Sequence, residues 1–380
     1  MGIFSRYKIG SEQFPALTGI RAVAAFMVFF HHLPLWLKPN VFIGLQLTFY
    51  DGVTLFFVLS GFLITYKYFD KLRFSRSWMR RYFVNRLARI YPVYFLLLTI
   101  VVFIQKDTGP IFLLQNYTLI NNLPPFIHSS GYAIGQSWSL TVEECFYLTA
   151  PLIMMLTLRV GLWLPLLLFT ILAAIVIPQA GMLKISDQYP FLYSTIIGRF
   201  PEFFVGILLA LVIRRNDRAG IKQLIGIRWT VLGTVAFVLV SLPLIYVTNK
   251  PPGLRYAVVL VINNLILPWA IILLYYGLIY ERSWLSRLLS NKTSGLLGRS
   301  SYAFYLLHWP LILYFGQELL KHGWFRGHHN VYVLFVLLAC SLLSFMIFLG
   351  YEEPMRKWIR KWGNREEKII TPAVRIPYEV

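Results

Sequence analysis

The residues of this chain most able to do chemistry are histidine and arginine side chains set inside apolar runs. Arg21 and His32 stand eleven residues apart, about three helical turns, which puts them on one helical face about 16 Å apart along the axis. An imidazole accepts a proton near neutral pH and, when neutral, is cheaper to bury than an ammonium, so His32 suits a general base. His31, turned about 100° from it, carries the same chemistry, and either ring could instead be bonded to a backbone carbonyl.

Arg86 and Arg89 sit three apart in Arg86-Leu87-Ala88-Arg89-Ile90-Tyr91-Pro92. They share a helical face, and paired guanidinium forks can hold phosphates bidentately. A nucleotide-bearing ligand fits them, although the general enrichment of cations on one side of a membrane explains either arginine alone. In Trp138-Ser139-Leu140-Thr141-Val142-Glu143-Glu144 two carboxylates open an apolar run. One of them can orient a histidine, with Glu143 the candidate, or both can complement a helix N-terminus. Arg199 and Glu202 form an i, i+3 pair able to neutralise each other in a low-dielectric interior. His308 lies just before Pro310; a proline-broken helix often borders a cavity, while aromatic packing accounts for the segment equally well.

The elements that must position these groups follow from composition. Hydrophobic residues make up 57% and charged residues 14% of the 380 positions, with mean hydropathy +0.62. Too little polar surface exists to cover a soluble globule of this size. The apolar runs, about 20 residues each, match helices crossing a hydrocarbon core of about 30 Å. Spans are expected at 15–36, 50–69, 87–105, 138–157, 162–180, 192–213, 229–247, 257–280, 299–319 and 331–350. The fold class is therefore all-α, a polytopic transmembrane bundle of about ten spans with both termini cytoplasmic.

In that orientation only Lys38, Lys106, Lys184, Lys250, Arg255, Lys321 and Arg326 fall outside, and most of the 36 basic residues fall inside, as the positive-inside rule requires. The net charge of +20 is thus mainly a topology signal. It argues against nucleic acid as a partner, since no basic stripe stands on a soluble module. The inside loop Asp70–Arg89 sets its cations beside Trp78, Tyr82 and Phe83, a composition suited to anionic lipid.

No repeat or linker divides the chain. One membrane domain is expected over residues 12–360, with a short cytoplasmic tail over 361–380. Met1–Ser11 has no cleavage pattern after it and reads as retained. The stretch Gln105–Ser137, with Pro124, Pro125, Gly131 and Gly135, is a candidate re-entrant or capping segment. Cys145 and Cys340 lie in apolar segments and imply no disulfide framework.

Taken in order from Leu17 to Pro354, these segments resemble the acyltransferase 3 family of membrane O-acyltransferases. The resemblance rests on Leu17-Thr18-Gly19-Ile20-Arg21 followed by His32, on Phe56-Phe57-Val58-Leu59-Ser60-Gly61-Phe62-Leu63-Ile64, and on the arginine and Glu143 segments quoted above. Arg199-Phe200-Pro201-Glu202-Phe203 and Tyr305-Leu306-Leu307-His308-Trp309-Pro310 complete it. It implies ten spans in a bacterial inner (cytoplasmic) membrane, and acetyl-CoA or another acyl-CoA as the cytosolic donor. The implied acceptor is a hydroxyl of a cell-envelope glycan or related carbohydrate, possibly lipid-linked. The family's essential arginine and histidine map onto Arg21 and His32, and its arginine pair onto Arg86 and Arg89. Thr54 stands where members often carry Asp, which removes a carboxylate there or passes its role to Asp51. No hydrolase-like domain follows the last span, so a partner acting outside is expected to be a separate chain.

The expected catalytic residues are His32 and Glu143, and the expected donor-binding residues Arg21, Arg86, Arg89 and Arg199; no metal is called for. Donor phosphates would dock on Arg86 and Arg89 with help from Arg21, the pantetheine arm would extend into the bundle, and His32 would take the acceptor's proton. Direct transfer and an acyl-histidine both fit this arrangement. Buried charges and broken helices also mark secondary transporters, and a non-catalytic part of an envelope-polysaccharide assembly is a further alternative.

Overall fold

The computed structural model of the chain describes residues 13–33, 45–106, 108–121, 131–179, 191–221, 224, 226–247, 250–316, 319, 321–323, 325 and 328–363. Among these residues there is no strand. Every run expected to span falls on a helix: α1 Pro15–His32, α2 Asp51–Tyr68, α3 Arg76–Gln105, α5 Trp138–Val160, α6 Trp163–Gln179, α7 Ile196–Arg218, α8 Arg228–Val247, α9 Pro252–Tyr280, α11 Lys292–Pro310 and α12 His329–Gly363. Among the described residues, the short helices α4 Pro110–Thr118 and α10 Trp284–Leu289 and a single turn at Gln46–Phe49 sit between them.

Seven of these helices are long and apolar enough to cross a membrane, namely α2, α3, α5, α7, α8, α9 and α12. The other three expected segments fall short for readable reasons. Arg21, His31 and His32 dilute the apolar run of α1, α6 has 17 residues, and α11 opens on the polar turn Lys292-Thr293-Ser294. The molecule is a multi-pass integral membrane protein. Its outer surface carries Phe103, Leu148, Leu239, Leu338 and Leu342 exposed, side chains that hydrocarbon solvates without cost.

α2 is the central helix, with 72% of its apolar window buried against 28% for α8 and α12. Glycines let it sit there. A Cβ on Gly61 would lie 2.2 Å from the Phe203 carbonyl oxygen of α7, and one on Gly206 of α7 would lie 2.2 Å from that of Val58 on α2. Small residues permit such close backbone approach between membrane helices. Gly61 is therefore a packing residue, whereas its neighbour Ser60 faces a cavity described below.

α3 begins eleven residues before the span expected from hydropathy, because Ser75 caps it by accepting from the Trp78 N–H at 3.2 Å. Much of the basic loop is thus helix. α12 likewise runs past residue 350 to Gly363, through a π turn at Phe348–Glu352. Residues 364–380, most of the expected tail, lie outside the described residues. In the stretch between α3 and α5, Asn116 at the end of α4 donates to the Gly131 carbonyl at 3.1 Å and accepts from the Ala133 N–H at 3.0 Å. Pro124 and Pro125 lie outside the described residues. Cys145 and Cys340 are free thiols.

Candidate active site

A cavity of about 850 Å³ opens among the N-terminal end of α1, the C-terminal ends of α2 and α7, and the basic first half of α3. Nine cationic side chains line it, among them Arg21, Arg86, Arg89, Arg214, Arg299 and Arg356, against the three carboxylates of Asp70, Asp217 and Glu352. Arg21, Arg86 and Arg89, singled out separately in the sequence, are thus brought to one chamber. Arg86 lies over two rings, its guanidinium 5.7 Å from the centre of Tyr68 and 5.3 Å from that of Tyr147. Cation–π contacts of this kind orient the fork without consuming its donors. On the rim, Asp70 forms ion pairs with Arg214 and, at 3.3 Å, with Arg218.

A second, narrower pocket of about 60 Å³ shares Arg21, Ser60, Leu63 and Arg89 with the first as common wall. Its other sides are mostly apolar, including Phe56, Phe57, Leu59 and Leu140, with Ser139, Glu143, Tyr302 and Tyr305 as polar points. Glu143 Oε1 accepts from Ser60 Oγ at 2.5 Å and from the Tyr147 hydroxyl. Tyr305 is fixed by a 2.7 Å bond between its hydroxyl and Ser139 Oγ. A broad cationic vestibule therefore leads to a slender, largely apolar recess, a shape that suits a ligand with a polyanionic head and a thin arm.

His32 and His308 lie beyond Tyr305, whose ring centre is 5.8 Å from that of His308. His308 Nε2 is 3.0 Å from His32 Nδ1. Trp309 meets the His32 ring edge-on at 4.9 Å, and His31 turns instead toward Tyr50 at 5.5 Å. Neither of the two cavities is lined by His32 or His308. His32 thus meets His308 here, whereas Glu143 is engaged with Ser60 and Tyr147.

The local fold around His308 follows from Pro310. A proline has no N–H, so the Leu306 carbonyl loses its helical donor. Gln136 Nε2 supplies one instead, donating to the Leu306 oxygen at 3.1 Å and to the Tyr305 oxygen at 2.6 Å. The helix is not broken as expected; it continues into a π turn at Leu311–Gly316.

Arg199 lines neither cavity. It is fully buried, 3.1 Å from Glu202 through Nε and 2.6 Å from the Asn264 carboxamide oxygen through Nη1, with Tyr50 and Phe57 rings each 5.2 Å away. Asn264 stands on a π turn of α9, Val261–Ile266. Asp51, also fully buried, accepts from Ser241 of α8 at 2.6 Å. Arg199 and Asp51 thus belong to a second polar cluster, held by aromatic rings and apart from the basic chamber.

Sequence reasoning weighed His308 without assigning it a role and missed Ser60, Tyr147 and Glu352. Glu352 carried a signal, an acid at the end of an apolar run that lipid makes costly. Ser60 and Tyr147 are common residue types whose importance arises only from the meeting of α2 and α5.

With this geometry, a membrane helix bundle enclosing a cationic chamber and a pair of adjoining imidazoles, the match to a known class is direct. The acyltransferase domain of the acyltransferase 3 family matches residues 14–351, and the chain belongs to that family. Among curated proteins it is similar to a Staphylococcus aureus (strain MRSA252) protein named provisionally as the O-acetyltransferase SAR0937, with 23% identity over 402 residues, 98% of this chain and 62% of that one. It is also similar to the O-acetyltransferase OatA of Staphylococcus aureus (strain NCTC 8325 / PS 47), with 24% identity over 375 residues, 90% of this chain and 57% of that one. The chain therefore spans about three fifths of the length of these relatives. No solved structure matches it.

Proposed function

We propose that the chain is a membrane O-acetyltransferase. It takes an acetyl group from acetyl-CoA, or another acyl group from its acyl-CoA, at the cytosolic face and passes it to a hydroxyl of a cell-envelope carbohydrate. The observation that carries this reading is the shared wall of Arg21, Ser60, Leu63 and Arg89 between the basic chamber and the slender pocket. The nucleotide and its phosphates fit the chamber through Arg86 and Arg89, and the pantetheine arm fits the recess past Arg21. The seven long apolar helices, together with α1, α6 and α11, supply ten spans in a bacterial inner membrane with both termini cytoplasmic.

The arm must extend about 16 Å, the helical rise from Arg21 to His32. Tyr305 stands between the recess and the histidines, and a turn of its ring admits the thioester. His32 Nε2 takes the proton of the acceptor hydroxyl as its oxygen attacks the thioester carbon. The new C–O bond forms, the C–S bond breaks, and the proton held by His32 passes to the departing thiolate to give CoA thiol. Mass spectrometry of envelope glycans from cells with and without the chain tests the reading. One acetyl increment present only with the chain supports it; identical glycans in both contradict it.

A further inference from the structure

We propose that His308 is a positioning residue for His32, accepting its Nδ1–H and so holding the basic lone pair on Nε2. The inference rests on His32 being the base in the reading above. Three contacts settle the proton positions together, because a carbonyl oxygen only accepts. His32 Nδ1 lies 3.0 Å from the Val28 carbonyl oxygen as well as from His308 Nε2, so Nδ1 carries the hydrogen and shares it between the two. His308 Nδ1 lies 3.3 Å from the Phe304 carbonyl oxygen, so it too carries one. Nε2 of a neutral His308 is then an acceptor, and it sits 3.0 Å from the His32 Nδ1–H. Reversing this last bond would set ring lone pairs against carbonyl oxygens on both α1 and α11.

His308 is fully buried and its ring is stacked on Phe304, 6.2 Å between centres at 18°. Water does not reach the His308 side of the contact, and the acceptor is preorganised. The tautomer of a working imidazole is set by the bond its other nitrogen makes. When His32 Nε2 takes a proton, the resulting imidazolium keeps its Nδ1–H on His308 and shares its charge with that ring. No reorganisation of either side chain is needed.

The test is ¹⁵N NMR of the full chain labelled at histidine in detergent, with the His32 signals assigned by their loss in His32→Ala. Labelled acetyl transfer from acetyl-CoA in membranes is measured alongside. The native protein should show His32 protonated on Nδ1, and a native His32 protonated only on Nε2 overturns the proposal whatever any variant does. His308→Leu leaves the Nδ1–H to the Val28 carbonyl alone, and should raise the fraction of His32 protonated on Nε2 and lower the transfer rate about 10–100-fold with the KM for acetyl-CoA unchanged. His308→Gln, whose amide oxygen can still accept, should restore one tautomer and most of the rate. An unchanged His32 tautomer and rate in His308→Leu, or equal loss in both variants, refutes the positioning role. If His32→Ala itself keeps full transfer, the reading of His32 as base fails, and the tautomer measurement still decides what His308 does to its neighbour.

Discussion

Ser60 on α2 donates a 2.5 Å hydrogen bond to Glu143 on α5, and Tyr147, one turn along α5, donates to the same oxygen. One carboxylate thus ties two helices at the wall of the slender pocket. Glu143→Ala strands both hydroxyls in a largely desolvated place and should cost about 1–3 kcal/mol, read as a lower thermal midpoint of the detergent-solubilised protein. Glu143→Gln, which keeps an acceptor oxygen, should cost less. Equal midpoints for native and alanine proteins would show that this carboxylate is not an anchor.

Arg86 and Arg89 should govern donor affinity. A hydrogen bond to a charged group contributes about 1.5–3 kcal/mol, so replacing either arginine by alanine should weaken CoA binding roughly 10–100-fold. Calorimetric titration of purified protein with CoA measures it, and the loss should shrink as salt rises because part of the attraction is screened. An unaltered affinity in Arg86→Ala/Arg89→Ala would remove the phosphates from this chamber.

Arg199 is expected to behave differently from the chamber arginines. Its guanidinium is paired with Glu202 and Asn264 with no exposure, and removing one member of a buried pair costs about 3–5 kcal/mol. Arg199→Leu should lower the thermal midpoint sharply while leaving CoA affinity of the folded fraction near native. A selective loss of CoA affinity at normal stability would return Arg199 to the donor site.

The crossing of α2 and α7 should tolerate no side chain. A Cβ at Gly206 meets the Val58 carbonyl oxygen at 2.2 Å, so Gly206→Ala forces the helices apart at about 1–3 kcal/mol. Folded yield and thermal midpoint in detergent report it. A variant as stable as the native protein would mean that the two helices are not in this contact.

Much of this arrangement was legible before any coordinates. Lipid imposes one solvent on every span, so apolar run length alone located the helices, and intramembrane cost alone drew attention to Arg21, His32, Arg86, Arg89 and Glu143. What was not legible has a common cause. Hydropathy began the third span at Leu87, although helix formation does not stop where lipid does, and Ser75 caps the start of α3 at Arg76, well before it. The sequence offers Glu143 as a carboxylate able to orient a histidine, and on the structure it meets Ser60 and Tyr147. His308, which meets His32, is 276 residues from it, and nothing local to either residue encodes their meeting. For Arg199 the i, i+3 pairing with Glu202 was legible, whereas the bond to Asn264 on a π turn of α9 is invisible to a periodicity argument.

The most direct measurement is single-turnover transfer of labelled acetyl from acetyl-CoA in membranes carrying His32→Ala, with CoA affinity determined on the same purified variant. Transfer should fall by about 10²–10⁴, the range lost with a general base, while CoA binds as tightly as to the native protein. Native transfer rates in a variant that still binds CoA would contradict the assignment of His32 as the base.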